Sequence, residues 1–209
     1  MFTVGPVAEN TFIVRRDGSD RALIVDPGDE PETLLKAIDA LEVSLDGILL
    51  THTHFDHVGA VAPVARATGA EVWVPELEKM VLADIMSYVP WPGFGPFESY
   101  DAEHTLSGGE RLELAGFEID VLFTPGHSPG HVSFHIPDEA AVFSGDVLFQ
   151  GSIGRTDLPF GDHDTLMRSI ASLVETLPED TRVYPGHMGI TTLGQERATN
   201  PFLAELPAR

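Results

Sequence analysis

The chain of 209 residues contains no cysteine. Disulfides, iron–sulfur clusters and thiolate-bound zinc are excluded at once, and any metal must be held by His, Asp or Glu. Lysine is nearly absent as well, occurring only as Lys36 and Lys79. With 12 basic against 33 acidic residues, the formal charge is −21. A field of that sign repels phosphate backbones and anionic lipid, so neither nucleic acid nor a membrane surface is an expected partner. No apolar run approaches the ~20 residues that a membrane-crossing helix needs. The opening MFTVGPVAEN has no basic stretch followed by an apolar one. No secretory signal is read there, and a cytoplasmic location is the default expectation.

What is present is ordinary for a globular protein: 43% hydrophobic and 22% charged residues,. The length suits a single domain over residues 1–209. Short strands and helices alternate along it, as in a mixed α/β fold. NTFIVRR and RALIVDPG read as two strands joined at Asp17-Gly18,. PETLLKAIDALE, GAVAPVARATG and DTLMRSIASLVETL have helical spacing, the last with Leu166, Ile170, Leu173, Val174 and Leu177 on one stripe,. ELEKMVLADI, residues 76–85, reads as a further helix. GILL, AEVWVP, HVSFHIP, AAVFSGD and RVYPGH read as strands, and LELAGFEIDVLFT as a hairpin turning at Ala115-Gly116.

The chemistry gathers at strand ends. GILLTHTHFDHVGA, residues 47–60, crowds His52, His54, Asp56 and His57 behind a short buried strand. A spacing of two on extended backbone points His52 and His54 to the same side. Asp56 and His57, at the turn into a helix, face a different point. VLFTPGH ends in His127, AAVFSGD in Asp146 and RVYPGH in His187. Each places one metal-type side chain just past a strand, where a rigid sheet presents functional groups. Five histidines and two aspartates are too many for one zinc ion, which takes about four ligands. They suit two ions about 3.5–4 Å apart that share a carboxylate. His104, His131, His135 and His163 are expected to be structural. His131, four residues after His127, is the one of these nearest a ligand position.

The motifs THTHFDH, TPGHSPGH, FSGDVLF and VYPGHM, in that order, resemble those of the metallo-β-lactamase superfamily over nearly the whole chain. The resemblance implies an αββα sandwich, two sheets face to face with helices outside. It implies one metal on His52, His54 and His127, a second on Asp56, His57 and His187, and Asp146 bridging them. Zinc is the expected metal, with iron or manganese as alternatives. Asp26, in IVDPG, matches an aspartate that supports the site from behind; a turn-forming role is the other reading.

Within the superfamily, DVLFQGSIGRTDLPFGD and TTLGQERATNPFL are similar to the short bacterial members of the hydroxyacylglutathione hydrolase (glyoxalase II) branch. Full-length glyoxalase II has a further helical region after its last ligand, where this chain has few residues. It also has a Gly-Lys pair where this chain has Gly154-Arg155. Both departures bear on the glutathione end of a substrate. The implied reaction is hydrolysis of a small-molecule thioester by water held between the ions, with Asp56 and Asp146 as the catalytic carboxylates. Arg155 would bind a substrate carboxylate or pair with Asp157. Persulfide dioxygenases resemble the chain too, with a single iron that here would sit on His52, His127 and Asp146. Lactone or ester hydrolysis, and a non-catalytic relative, are the remaining readings. Residues 86–100, MSYVPWPGFGPFESY, hold Tyr88, Trp91, Phe94 and Phe97. They are expected to form an aromatic wall beside the metals, with Trp91 and Phe94 touching substrate; a loop that only covers the core is the alternative.

Overall fold

A computed structural model of the chain describes residues 1–89 and 91–204. Pro90, inside the aromatic segment, and residues 205–209, the end of the expected domain, lie outside the described residues. The first half of the chain supplies β1 (Phe2–Val4), β2 (Glu9–Arg15), β3 (Arg21–Val25), α1 (Pro31–Ala40), β4 (Ser44–Leu49), α2 (Phe55–Val58), α3 (Val61–Thr68), β5 (Val72–Pro75), α4 (Lys79–Ala83) and β6 (His104–Leu106). Its strands form one six-stranded sheet in chain order, antiparallel up to β3 and parallel from β3 to β6.

The second half supplies β7 (Arg111–Leu114), β8 (Phe117–Phe123), β9 (Val132–Ile136), β10 (Ala141–Gly145), β11 (Leu148–Phe149), β12 (Ser152–Ile153), α5 (His163–Thr176), β13 (Arg182–Pro185), β14 (Thr191–Thr192) and α6 (Leu193–Thr199). The second six-stranded sheet runs β14-β13-β10-β9-β8-β7, and β11 and β12 form a small ribbon. Each half of the sequence is therefore one sheet with its helices.

Side-chain alternation explains the layering. Along β3 and β4, Leu23, Val25 and Leu49 enter a core shared with Phe117, Ile119, Val121 and Phe134 of the second sheet. Their neighbours Ile24 and Ile48 enter a different core with Leu34 and Ile38 of α1 and Val61 and Val64 of α3. In β10, Phe143 faces the inter-sheet core while Val142 meets Leu166, Ile170 and Leu173 of α5. Strands buried on both faces read as continuous apolar runs, which is why GILL and RALIV show no polar face. The result is the αββα sandwich of the metallo-β-lactamase fold. No helix among the described residues is long and apolar enough to cross a membrane.

Two local expectations change and a third holds. The β2–β3 connection spans residues 16–20, with Gly18 at φ 74, and is longer than a two-residue turn at Asp17-Gly18. The hairpin at Ala115-Gly116 does close in two residues, both left-handed, at φ 52 and 78,. Residues 76–85 do not form one helix. A 3-10 turn at Glu76–Glu78 precedes α4, Asp84 leaves the helical conformation at φ −145 and ψ 52, and a second 3-10 turn follows at Ile85–Ser87. Helical propensity gives way here because the Glu78 side chain is drawn into the interior, where it meets the ligand loops described below.

Candidate metal centre

β8, β10 and β13 run the same way in the second sheet, so the loops after them open at one edge, where the loop after β4 of the first sheet meets them. Past β4 the chain stays extended at His54 (φ −63, ψ 145) and then coils into α2. His52 and His54 are thus carried on extended backbone, while Asp56 and His57 project from a helical turn. His127 lies in the loop after β8, Asp146 directly after β10 and His187 two residues after β13. The two sheets are stitched together here: Val132 N donates to Thr51 O at 2.9 Å, and Asn10 N to Gly186 O at 2.7 Å.

The seven side chains converge. His52 Nε2 and His127 Nε2 lie 3.1 and 2.8 Å from His54 Nδ1. Asp56 Oδ2 lies 3.3 Å from His187 Nε2 and 3.9 Å from His57 Nε2. Asp146 sits between the two groups. Its Oδ1 is 3.3 Å from His57 Nε2, and its Oδ2 is 3.5 Å from both His127 Nε2 and His187 Nε2. The close approach of β13 needs Gly186, because a methyl there would strike Asp146 Oδ1 and the His57 ring.

The nitrogens facing away from the centre are tied to oxygens. His52 Nδ1 donates to Thr51 Oγ1 (3.1 Å), whose own proton goes to Asp26 Oδ2 (2.6 Å). His57 Nδ1 meets Asp26 Oδ2 at 3.0 Å, His127 Nδ1 meets Arg155 O at 2.8 Å, and His187 Nδ1 meets Ala8 O at 3.2 Å. Bonds of this kind set the tautomer and turn the Nε2 lone pair inward, as metal-binding histidines require. Asp26 also accepts Thr51 N at 2.7 Å, so it fixes both the backbone before His52 and the His57 ring. It stands in a left-handed conformation, φ 47, that a turn alone does not demand.

Electrostatics give the same reading. Burial would strip charge from His57, but Asp146 on one side and Asp26 on the other outweigh it and raise its pKa well above the usual value. Burial likewise works against the Asp146 carboxylate, yet His57, His127 and His187 hold its pKa far below the ordinary range. His54 is pushed down to about 4 by burial and by His127, and His52 is pushed well down by burial and by His57. Burial thus favours the neutral form of His52 and His54 in the first cluster, while the carboxylates favour positive charge on His57 and His187 in the second. His57 Nε2 and Asp146 Oδ1 are buried, face each other and make no hydrogen bond. Buried polar atoms without partners mark a place for a cation, and the residues present fit one.

The supposed bystanders behave as structure. His131 is buried, with Nδ1 on Thr124 Oγ1 (3.0 Å) and Nε2 accepting Asp146 N (3.1 Å), so neither nitrogen is left for a metal. His104 pairs with Glu71 at 2.6 Å and stacks on Trp73. His135 lies 3.7 Å from Asp120, and His163 opens α5.

Sequence reasoning missed three residues that hold the site. Glu78 is buried and takes Thr53 N (2.8 Å), Thr53 Oγ1 (3.0 Å), Ser128 Oγ (2.5 Å) and Gly130 N (2.8 Å). One carboxylate thus ties the His52–His54 loop to the His127 loop. Asn10 Nδ2 donates to Pro185 O and Met188 O, fixing the His187 loop. Glu9, fully buried 3.9 Å from His57 Nδ1, has its pKa raised well above the ordinary carboxylate value by burial.

Five of the seven candidate ligands, His54, Asp56, His127, Asp146 and His187, form the floor of a cleft of about 600 Å³, with His52 and His57 buried behind them. Tyr88 and Trp91 line it, as an aromatic wall would. Phe94 and Phe97 do not. Both pack on Phe55, at 4.8 and 5.8 Å between ring centroids, and cover the first core. Arg155 also borders the cleft, but its guanidinium is held by Asp157 in a two-pronged pair (2.7 and 2.8 Å) and lies 5.9 Å over the Trp91 ring.

The family model of the metallo-beta-lactamase superfamily matches residues 4–187. The chain belongs to that superfamily. This metallo-beta-lactamase superfamily member is 40% identical to hydroxyacylglutathione hydrolase GloC of Haemophilus influenzae, over 90% of this chain and 89% of that one. Its structure is similar to the crystal structure of BLEG-1 B3 metallo-beta-lactamase (TM-score 0.91, 41% identity, 97% of each chain). It is also similar to that of TTHA1623 in a di-iron-bound form (TM-score 0.78, 43% identity, 97% of this chain and 98% of that one). Divalent metal binding comes with the superfamily, and the His/Asp clusters fit a metal site.

Proposed function

We propose that this metallo-hydrolase cleaves thioesters, the reaction that GloC's name exemplifies among its relatives, using two divalent ions, zinc foremost with iron or manganese as alternatives. The ligands would be His52, His54 and His127 for one ion and Asp56, His57 and His187 for the other, with Asp146 shared. The observation that carries this reading is the position of the Asp146 carboxylate, with oxygens 3.3–3.5 Å from nitrogens of both groups.

When bound, the ions would lower the pKa of water toward neutrality and polarise the substrate carbonyl. The chain's own contribution is positional. Asp26, Thr51 and the Arg155 carbonyl hold the imidazoles in register, and Glu78 holds their loops. The Asp56 carboxylate, at the cleft floor, would take the proton released as water oxygen bonds to the carbonyl carbon. The carbon–sulfur bond then breaks and the thiolate leaves without needing a strong acid. A small molecule is the expected partner, and esters and lactones are chemically within reach of the same site.

Elemental analysis of metal-replete protein should give close to two ions per chain. Asp146→Asn should lose both ions and nearly all thioesterase activity. A ratio fixed at one, or a fully active Asp146→Asn protein, would be incompatible with a shared carboxylate.

A mononuclear persulfide dioxygenase would use only His52, His127 and Asp146. The completeness of the second group favours hydrolysis over that chemistry. S-lactoylglutathione and glutathione persulfide offered side by side, with an oxygen electrode, separate the two. Thioester cleavage without oxygen uptake, abolished by His57→Ala, supports hydrolysis; iron-dependent oxygen uptake that survives the substitution overturns it.

A further inference from the structure

Above the ligand floor, the cleft is walled by large apolar side chains that the fold leaves in solvent. Leu77 and Met80 are 61% and 66% exposed, and Phe160 and Met188 are 79% and 57% exposed. Tyr88 and Trp91 complete the wall. Contiguous exposed apolar surface that opens onto a reactive floor marks a binding site rather than a packing defect.

Two of these residues carry a second signal. Phe160 and Met188 both adopt left-handed backbone, at φ 69 and 68. Bulky side chains rarely tolerate that region, and such strain persists where a function needs the side chain in place. Each is locked by its surroundings. Gly161 N bonds Leu158 O and Asp162 N bonds Gly126 O around Phe160, while Asn10 Nδ2 holds Met188 O. Neither side chain is needed by a core, yet the backbone is strained to aim both at the cleft.

The charge of the cleft is the third observation. Among the described residues that line it, Arg155 is the one cation outside the ligand histidines, and Asp157 already takes its Nε–Nη2 edge. A glutathione carrier brings two carboxylates. They would meet no free cation here and would enter a chain of net charge −21,.

We infer that the cleft recognises an uncharged apolar chain on its substrate, an acyl or aryl group of several carbons on a non-anionic carrier, and that Phe160 and Met188 determine this specificity. The reaction rests on the hydrolase reading above; the recognition rests on the cleft alone.

The test uses metal-replete full-length protein and two thioester series, acetyl to octanoyl, on N-acetylcysteamine and on glutathione. Burial of each methylene gives kcat/KM a rise of up to about fourfold, equivalent to 0.8 kcal/mol. The expected result is that rise along the neutral series, with no advantage for glutathione at any chain length. Phe160→Gly with Met188→Gly suits the left-handed backbone, so folding is preserved. This double variant should lower the octanoyl-to-acetyl ratio of kcat/KM at least tenfold while metal content stays constant. Binding of the inert thioethers S-octyl-N-acetylcysteamine and S-methylglutathione, measured by calorimetry, reads recognition without chemistry. Tighter binding of the glutathione thioether, a tenfold preference for glutathione thioesters, or an unchanged ratio in the variant would overturn the inference and leave the hydrolase standing. Selective binding of the octyl compound with no turnover of any thioester would overturn the hydrolase and leave the inference standing.

Discussion

At the scale of single residues, the site depends as much on what stands behind the ligands as on the ligands themselves. Asp26 reaches His57 Nδ1 and both polar groups of Thr51. Asp26→Asn puts an amide donor against a ring nitrogen or an N–H, so chelator competition should show metal affinity at the Asp56–His57–His187 group falling about 10- to 100-fold. Unchanged affinity would make Asp26 a turn former only. Glu78 accepts four bonds from two loops. Glu78→Ala strands several buried donors at about 1–3 kcal/mol each. Urea unfolding should therefore register a loss of about 3 kcal/mol or more, and metal should leave the His52–His54–His127 group first. A change below about 1 kcal/mol would rule out this role. The seven convergent groups were legible because metal ligands cluster in short motifs after strands. Glu78 was not, because its partners lie 25, 50 and 52 residues away in sequence and two of the four are backbone N–H groups. Nothing local separates it from an exposed helical glutamate.

Among the elements, legibility follows burial. The α5 stripe of Leu166, Ile170, Leu173 and Val174 lies on one face of a regular helix, packed against Val142 and Val183 of the second sheet, and Leu177, in extended backbone just past the helix end, joins the same core. Ile170→Ala should cost about 2–5 kcal/mol in denaturant unfolding. Metal content should be unaffected at temperatures where the variant stays folded, since α5 supplies no ligand; a cost under 1 kcal/mol would contradict its fully buried position. Segment 76–88 shows the opposite case. Its spacing is helical, but its buried members are Glu78, Leu82 and Ile85, while Leu77 and Met80 are exposed. A polar anchor inside and apolar groups outside reverse the amphipathic rule, and a hydrophobicity pattern cannot reveal this. The short edge strands β1, β6 and β14 also escaped notice, since two or three residues carry no period.

Across the whole molecule, the sequence divides between β6 and β7 into two halves, each owning one sheet. Four of the seven candidate ligands, His52, His54, Asp56 and His57, come from the first half. The other three, His127, Asp146 and His187, come from the second. Neither group of three is complete within one half without its partner: His127 closes the first and His187 the second. The metal centre is therefore a clasp across a seam, and the seam itself is apolar, with Phe12, Leu23 and Leu49 against Phe117, Ile119 and Phe134. Such an arrangement permits fragment complementation. Residues 1–108 and 109–209, produced as separate polypeptides and mixed, should reassemble, and divalent metal should tighten the pair by mass action. Gel filtration with zinc and with a chelator reads the outcome; equal association in both would mean that the ions do not bind across the seam. For a chain emerging from the ribosome, the same geometry sets an order of events. The first four groups are made long before His187, so the centre can mature only when β13 of the partner sheet docks.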